Sequence, residues 1–148
     1  MPFNIPHDSV KPQGYRVCFN RKSVAVATDL GYFSKPVLSA LKNADLVLLE
    51  ANHDIDMLKN SAYPYVLKQR ILGKSGHLSN LGAAQACLEL VNSNVRGIIL
   101  GHLSQENNSE QLAYSTVIDH LSENGVAVGQ DMALSIAFRN KPGGNYFI

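Results

Sequence analysis

Residues 45–54 read DLVLLEANHD. The apolar run is continuous and of strand length, which suits a strand buried on both faces, as the parallel strands of helix-covered sheets are. It passes directly into Glu50, His53 and Asp54. The same passage recurs twice: AVATD (25–29) leaves an apolar run at Asp29, and IILGHLS (98–104) leaves one at His102. In layered α/β folds, ligands gather where strands end in loops. The three stretches therefore predict an α/β protein with its site at the ends of its buried strands.

Upstream, YRVCF (15–19) and KSVAVATD (22–29) are apolar runs joined by Asn20-Arg21, a two-residue link that predicts a hairpin. Ser34 is an N-cap candidate, with Pro36 in the first turn of a helix over VLSALKNA. Downstream, residues 52–76 predict one or two short helices broken near Pro64 and ended by Gly76. Ser79 or Asn80 is placed to cap a longer helix through LGAAQACLELVNS. VRGIIL (95–100) is another buried strand, and Ser109 and Gly125 bracket an amphipathic helix. VAVGQDMALSIAF and GNYFI predict the last strands. No linker or low-complexity segment interrupts the order ββαβααβαββ, so residues 1–148 are expected to form a single unit.

A chain of 148 residues with 45% hydrophobic and 17% charged residues is a globular domain with one core. A net charge of +1 provides no broad basic field for nucleic acid. A local strip from Arg16, Arg21, Lys22, Lys68, Arg70 and Lys74 remains open, as does their reading as ordinary solvated surface. Cys18 and Cys87 are too few for a disulfide framework and are expected to be small buried hydrophobes in a reducing compartment. The N-terminus has no signal-peptide pattern, and no apolar run approaches the roughly 20 residues of a membrane span. A cytoplasmic protein that does not enter membranes is expected.

The candidate site comprises Asp29, Glu50, His53, His77 and His102, with His7 upstream in IPHDS. Singly, each has a bland reading, since a strand-end carboxylate more often caps a helix than binds a metal. Together, imidazoles and carboxylates from separate strand ends form a ligand set suited to Zn²⁺ or another borderline cation. Ser104, Asn107 and Asn108 are candidates to support it, or are simple loop residues. Gly-His-Leu-Ser occurs twice, at 76–79 and 101–104, but the flanking residues do not match. The two copies are therefore not an internal repeat.

The motifs IPHD, ATDLG, LLEANHD, LKQRILGKSGHLSN and GHLSQENN occur in this order over nearly the whole chain. They resemble the C-terminal half of a metallo-β-lactamase-fold hydrolase, in the YycJ/WalJ branch related to the tRNA 3′-processing nucleases and the RNase J group. The resemblance implies half of an αββα sandwich: a layered mixed sheet with flanking helices. It also implies a phosphodiesterase with two divalent ions, Zn or Mn, and in full-length form a 5′→3′ exonuclease on DNA. By the same resemblance His7, Asp29 and His102 are metal ligands, with Asp29 shared between two ions. Glu50 and His77 are catalytic neighbours, and His53, Ser79, Asn80, Ser104 and Asn107 touch substrate or support the ligands.

The family's HxHxDH signature is absent from this sequence. That departure implies a chain lacking the first half of the fold. Such a chain is expected to hold at most one ion, weakly, and to have little activity alone. Its uncovered face would then pair with a second copy or with a partner carrying the N-terminal half. Two other readings stay open: thioester or lactone hydrolysis in the same fold, and a truncated or split, non-catalytic fragment.

Overall fold

A computed structural model describes residues 1–146. Its elements run β1 (Pro2–Asn4), β2 (Gln13–Phe19), β3 (Lys22–Ala27), α1 (Lys35–Leu41), β4 (Leu46–Glu50), α2 (Ile55–Asn60), α3 (Tyr65–Leu72), α4 (Asn80–Asn92), β5 (Gly97–Gly101), α5 (Glu110–Glu123) and β6 (Ala133–Ile136). The six strands form one sheet in the order β1-β2-β3-β4-β5-β6. The first two pairings are antiparallel and the remaining three parallel. The expected mixed sheet with flanking helices is the fold observed.

Local sequence explains most of the boundaries. Asn20 and Arg21 both have positive φ (48° and 65°), the conformation a tight right-twisted hairpin requires. Ser34, Ser79 and Ser109 each accept a backbone N–H as helix N-caps. Pro64 separates α2 from α3, as expected. Three boundaries differ from expectation. α3 closes at Gly73, and Gly76 instead lies where a Cβ would come within 2.2 Å of the Arg70 carbonyl oxygen. α5 ends with Asn124 as C-cap, and Gly125 follows it in the left-handed region. The strand expected over 126–138 shrinks to Ala133–Ile136. Gly144 to Tyr146 form no strand, and the remainder of GNYFI lies outside the described residues. The short strand β1 had no periodic signal.

Strands β3 to β6 step successively toward the same edge, and right-handed crossovers then place α1, α4 and α5 on one face. The core lies between that face and the helices. Ala25, Ala27, Val47, Leu49, Ile98 and Leu100 meet Val37, Leu41, Cys87, Leu90, Val117 and Leu121, all essentially inaccessible. Alanines 83, 84 and 86 let α4 approach closely. Truncating a buried leucine such as Leu90 to alanine costs about 2–5 kcal/mol.

The opposite face is open. Tyr15, Val17, Phe19 and Val26 are 37–76% exposed, and Leu46, Leu48 and Ile99 are only partly covered. The run DLVLLE, expected to be buried on both faces, is fully buried on one. Cys18, near the hairpin tip, is exposed rather than buried, because the helices do not extend over the tip; Cys87 is buried as expected. Among the described residues, no helix is long and apolar enough to cross a membrane.

Candidate metal centre

Parallel strands β3, β4 and β5 end side by side, and their last residues converge. Asp29 follows β3, Glu50 closes β4, and His102 follows β5. Asp29 and His102 both adopt left-handed backbone conformations, with φ of 60° and 56°. For non-glycine residues this costs on the order of 1–3 kcal/mol each, and such strain concentrates at functional sites. Here it re-aims two side chains at the end of a sheet.

Glu50 organises the cluster. It is fully buried, and its Oε2 accepts the Leu30 and Leu78 amides at 2.7 and 3.3 Å. Its Oε1 lies 2.8 Å from His77 Nδ1 and 2.7 Å from His102 Nδ1. Burial alone would raise its pKa. The hydrogen bonds from His102, His77 and the Leu30 amide outweigh burial and hold it below the ordinary carboxylate value. An ionised carboxylate only accepts, so both Nδ1 atoms carry a proton, and in the neutral form of each ring Nε2 presents the lone pair. The hydrogen bond to Glu50 also raises the His102 pKa, against burial.

His7 arrives from the opposite side. Its loop is pinned by Gly31 N–H to Pro6 O (2.9 Å) and Asp8 N–H to Ser75 O (3.1 Å). A Cβ at Gly31 would lie 2.3 Å from the Lys74 backbone, so the two loops touch main chain to main chain only because that residue is glycine. His7 Nδ1 lies 3.0 Å from Gly76 O, to which it donates, leaving Nε2 free. That nitrogen is 3.7 Å from Asp29 Oδ1, while His102 Nε2 is 3.8 Å from the same oxygen. The His77 ring sits between the other two, with centroids 5.1 Å from His7 and 5.4 Å from His102.

Asp29, Glu50, His77 and His102 each bring a potential ligand atom within 4.8 Å of the others. His7 lies outside this tighter set and reaches Asp29. Glu50 Oε1 and His77 Nδ1 are spent on each other; His77 Nε2 is uncommitted, and the donors gathered around Asp29 Oδ1 are the Nε2 atoms of His7 and His102. Two imidazoles of fixed tautomer and a carboxylate fit a borderline divalent cation.

The remaining candidates are supports. Ser79 caps α4. Ser104 lines the groove beside His102, and its Oγ accepts the Asn107 amide. Asn107 is buried, and its own amide N–H is that donor. Asn80 and Asn108 form a reciprocal buried amide pair, 2.8 Å in each direction, that joins the two GHLS segments. Asn52, which sequence reasoning passed over, donates to the His102 carbonyl at 3.0 Å and braces its left-handed turn. Its place inside EANHD was the only available signal. His53 is 1% exposed with neither ring nitrogen partnered among the described residues; burial pushes its pKa down to about 4.

Most of the basic side chains proposed as a strip are engaged within the chain. Arg16 donates to the Ala40, Lys42 and Asn43 carbonyls at the end of α1. Lys22 pairs with Asp45, Lys68 caps the Lys59 and Ser61 carbonyls, and Arg70 grips Asp8 with two bonds. A groove of about 1280 Å³ runs past Asp29, His77 and His102, with Tyr63, Phe138 and Arg139 also on its walls.

A mixed sheet with this strand-end cluster defines the class, and the chain belongs to the beta-lactamase superfamily: the model described as "Beta-lactamase superfamily domain" matches residues 1–103. Two relatives carry specific names. The chain is 43% identical over 129 residues to exodeoxyribonuclease WalJ of Streptococcus pneumoniae, covering 87% of this chain and 48% of that protein. It is 37% identical over 128 residues to exodeoxyribonuclease YycJ of Bacillus anthracis, covering 86% and 48%. The chain thus spans about half the length of the curated relatives it matches. Among solved structures, the metallo-beta-lactamase fold protein YhfI of Bacillus subtilis superposes with a TM-score of 0.63 at 16% identity, over 92% of this chain and 45% of that one. Fold family and donor cluster together suggest divalent-metal binding.

Proposed function

We propose that this chain is the C-terminal half of a metal-dependent phosphodiesterase which, when complete, is a 5′→3′ exonuclease on DNA. One observation carries the reading: Asp29 Oδ1 lies between two imidazole Nε2 atoms whose tautomers are set by Gly76 O and by Glu50. An aspartate so placed suits sharing between two cation positions, and the names of the 37–43% identical relatives supply the substrate class. His7, Asp29 and His102 would hold the ions, two in the full site, Zn or Mn by resemblance to the family. Bound there, divalent ions acidify a water and neutralise charge on the phosphate.

The chain's own residues have separable tasks. Glu50, buried and fully engaged, positions His77 and His102 rather than touching substrate. His77 lines the groove with Nε2 as its free nitrogen, suited to contact the phosphate or hand a proton to the leaving oxygen. Ser79, Asn80 and Asn107 hold the loops, and Ser104 is the one support that also faces the groove.

Three donors hold one ion weakly and do not build a two-ion site, whose ions lie roughly 3.5–4 Å apart. The other ligands would come from a second half carrying HxHxDH, seated on the open face of Tyr15, Val17, Phe19 and Val26. The test is end-labelled DNA with Mn²⁺ or Zn²⁺, given this chain alone and then with a polypeptide carrying that half. Negligible turnover alone and restored turnover together are expected. Robust turnover by the pure 148-residue chain would sink the half-site reading, and a complemented protein inert on DNA would sink the substrate reading.

A further inference from the structure

His77 is a wall common to two cavities. One is the groove already described. The other, about 310 Å³, is bounded by the 31–33 loop, His53, Leu72 and the first turns of α4. We propose that this second cavity is a base subsite, taking the nucleobase of the nucleotide beside the scissile phosphate, with His53 as its hydrogen-bonding wall. The proposal rests on the phosphodiesterase reading.

His53 is 1% exposed and unpartnered at both ring nitrogens among the described residues. Buried polar atoms left unpaired are destabilising, and native proteins rarely retain them without a reason. The cavity His53 lines is the route by which a partner can arrive. Its imidazole is neutral at pH 7, because burial lowers its pKa to about 4. It therefore offers one N–H donor and one lone pair, the complement of a base edge that alternates acceptors and donors.

The rest of the lining narrows the ligand. It contains no Lys or Arg and does contain Glu89, so an anion is disfavoured. A purely apolar ligand would leave His53 unmatched. Tyr32 and Phe33 offer aromatic faces on which a planar ring can stack, and Gln85 offers an amide at the rim. The volume accommodates one base with its sugar. Through His77 the cavity adjoins the place where the phosphate would react.

The test adds thymidine, 2′-deoxyadenosine or base-free 2-deoxyribose to the 148-residue chain and follows the imidazole ¹⁵N resonances. Both nucleosides should move the His53 signals, and 2-deoxyribose should leave them still. Gln85→Trp, at an exposed position, should plug the mouth and weaken nucleoside binding by about tenfold or more without moving the thermal midpoint. His53→Phe should remove the base-dependent binding. Unmoved His53 signals, equal response to 2-deoxyribose, or unchanged binding in Gln85→Trp would overturn the proposal. Nucleoside binding at His53 in a complemented protein inert on DNA would keep the subsite and discard the phosphodiesterase reading. DNA cleavage with a silent His53 would do the reverse.

Discussion

Replacing Glu50 by glutamine preserves the shape of the side chain while removing its charge and half its accepting capacity. The wild-type carboxylate accepts four hydrogen bonds in a fully buried position. If the amide oxygen keeps the Leu30 and Leu78 N–H groups, the NH₂ faces two imidazole N–H donors. The imidazoles escape that contact by moving their protons to Nε2 and accepting at Nδ1. Two charge-assisted bonds of about 1.5–3 kcal/mol then become neutral ones of about 0.5–1.5 kcal/mol, a stability loss of about 2–3 kcal/mol. The larger consequence is at the far nitrogen: His102 Nε2, now protonated, no longer offers a lone pair toward Asp29. Losing such a support typically weakens metal binding about 10–100-fold, or about 1.4–2.8 kcal/mol. Imidazole ¹⁵N spectra would report the tautomers, and calorimetric Zn²⁺ titration the affinity. If Glu50→Gln keeps both Nδ1 atoms protonated and binds Zn²⁺ as tightly as wild type, the reasoning from tautomer control is refuted.

Acid should destabilise the protein through His53. Its folded pKa, about 4, lies below the ordinary 6.5, so the unfolded chain takes up the proton first as pH falls. The contribution is complete above about pH 6.5 and is lost progressively down to about 4. That interval, at ~1.4 kcal/mol per pH unit, gives about 3 kcal/mol. Urea unfolding at pH 7 and pH 4 should therefore show a shallower loss in His53→Phe; an identical loss in both proteins removes His53 as the cause. Asn108→Ala strands the buried Asn80 amide and should cost about 2–4 kcal/mol. The double replacement with Asn80→Ala should cost clearly less than the sum of the two, and additivity would show that the pair is not coupled. Val17→Lys with Phe19→Lys should abolish concentration-dependent association in sedimentation velocity, because both side chains stand on the open sheet face. A wild-type chain that sediments as a monodisperse monomer contradicts that expectation.

The strand ends were legible because their signal is local. A continuous apolar run that turns abruptly into Asp, Glu or His announces both a buried strand and a chemically occupied loop. Three such runs therefore named Asp29, Glu50 and His102 together. The serine caps and the Asn20-Arg21 hairpin were legible for the same reason, since each depends on residues a few positions apart. Lys68, Arg70 and Arg16 were not, because a cation's partner is a matter of which backbone or carboxylate lies nearby in space. Strand β1 escaped because three residues carry no period.

Local sequence therefore specified most of the elements, their order and the residue types delivered to one edge of the sheet. Tertiary structure alone decided how those residues divide the work. Glu50 serves two histidines at once because parallel pairing in register brings β4 between β3 and β5. Asn80 and Asn108, 28 positions apart, face each other because α4 and α5 start on the same side of that edge. The same packing buries His53 with neither ring nitrogen partnered among the described residues. The open face follows from crossovers that all step one way, leaving the second side of DLVLLE apolar and only partly covered. Periodicity records that a side chain is meant to be buried; only the assembled layers decide what lies against it.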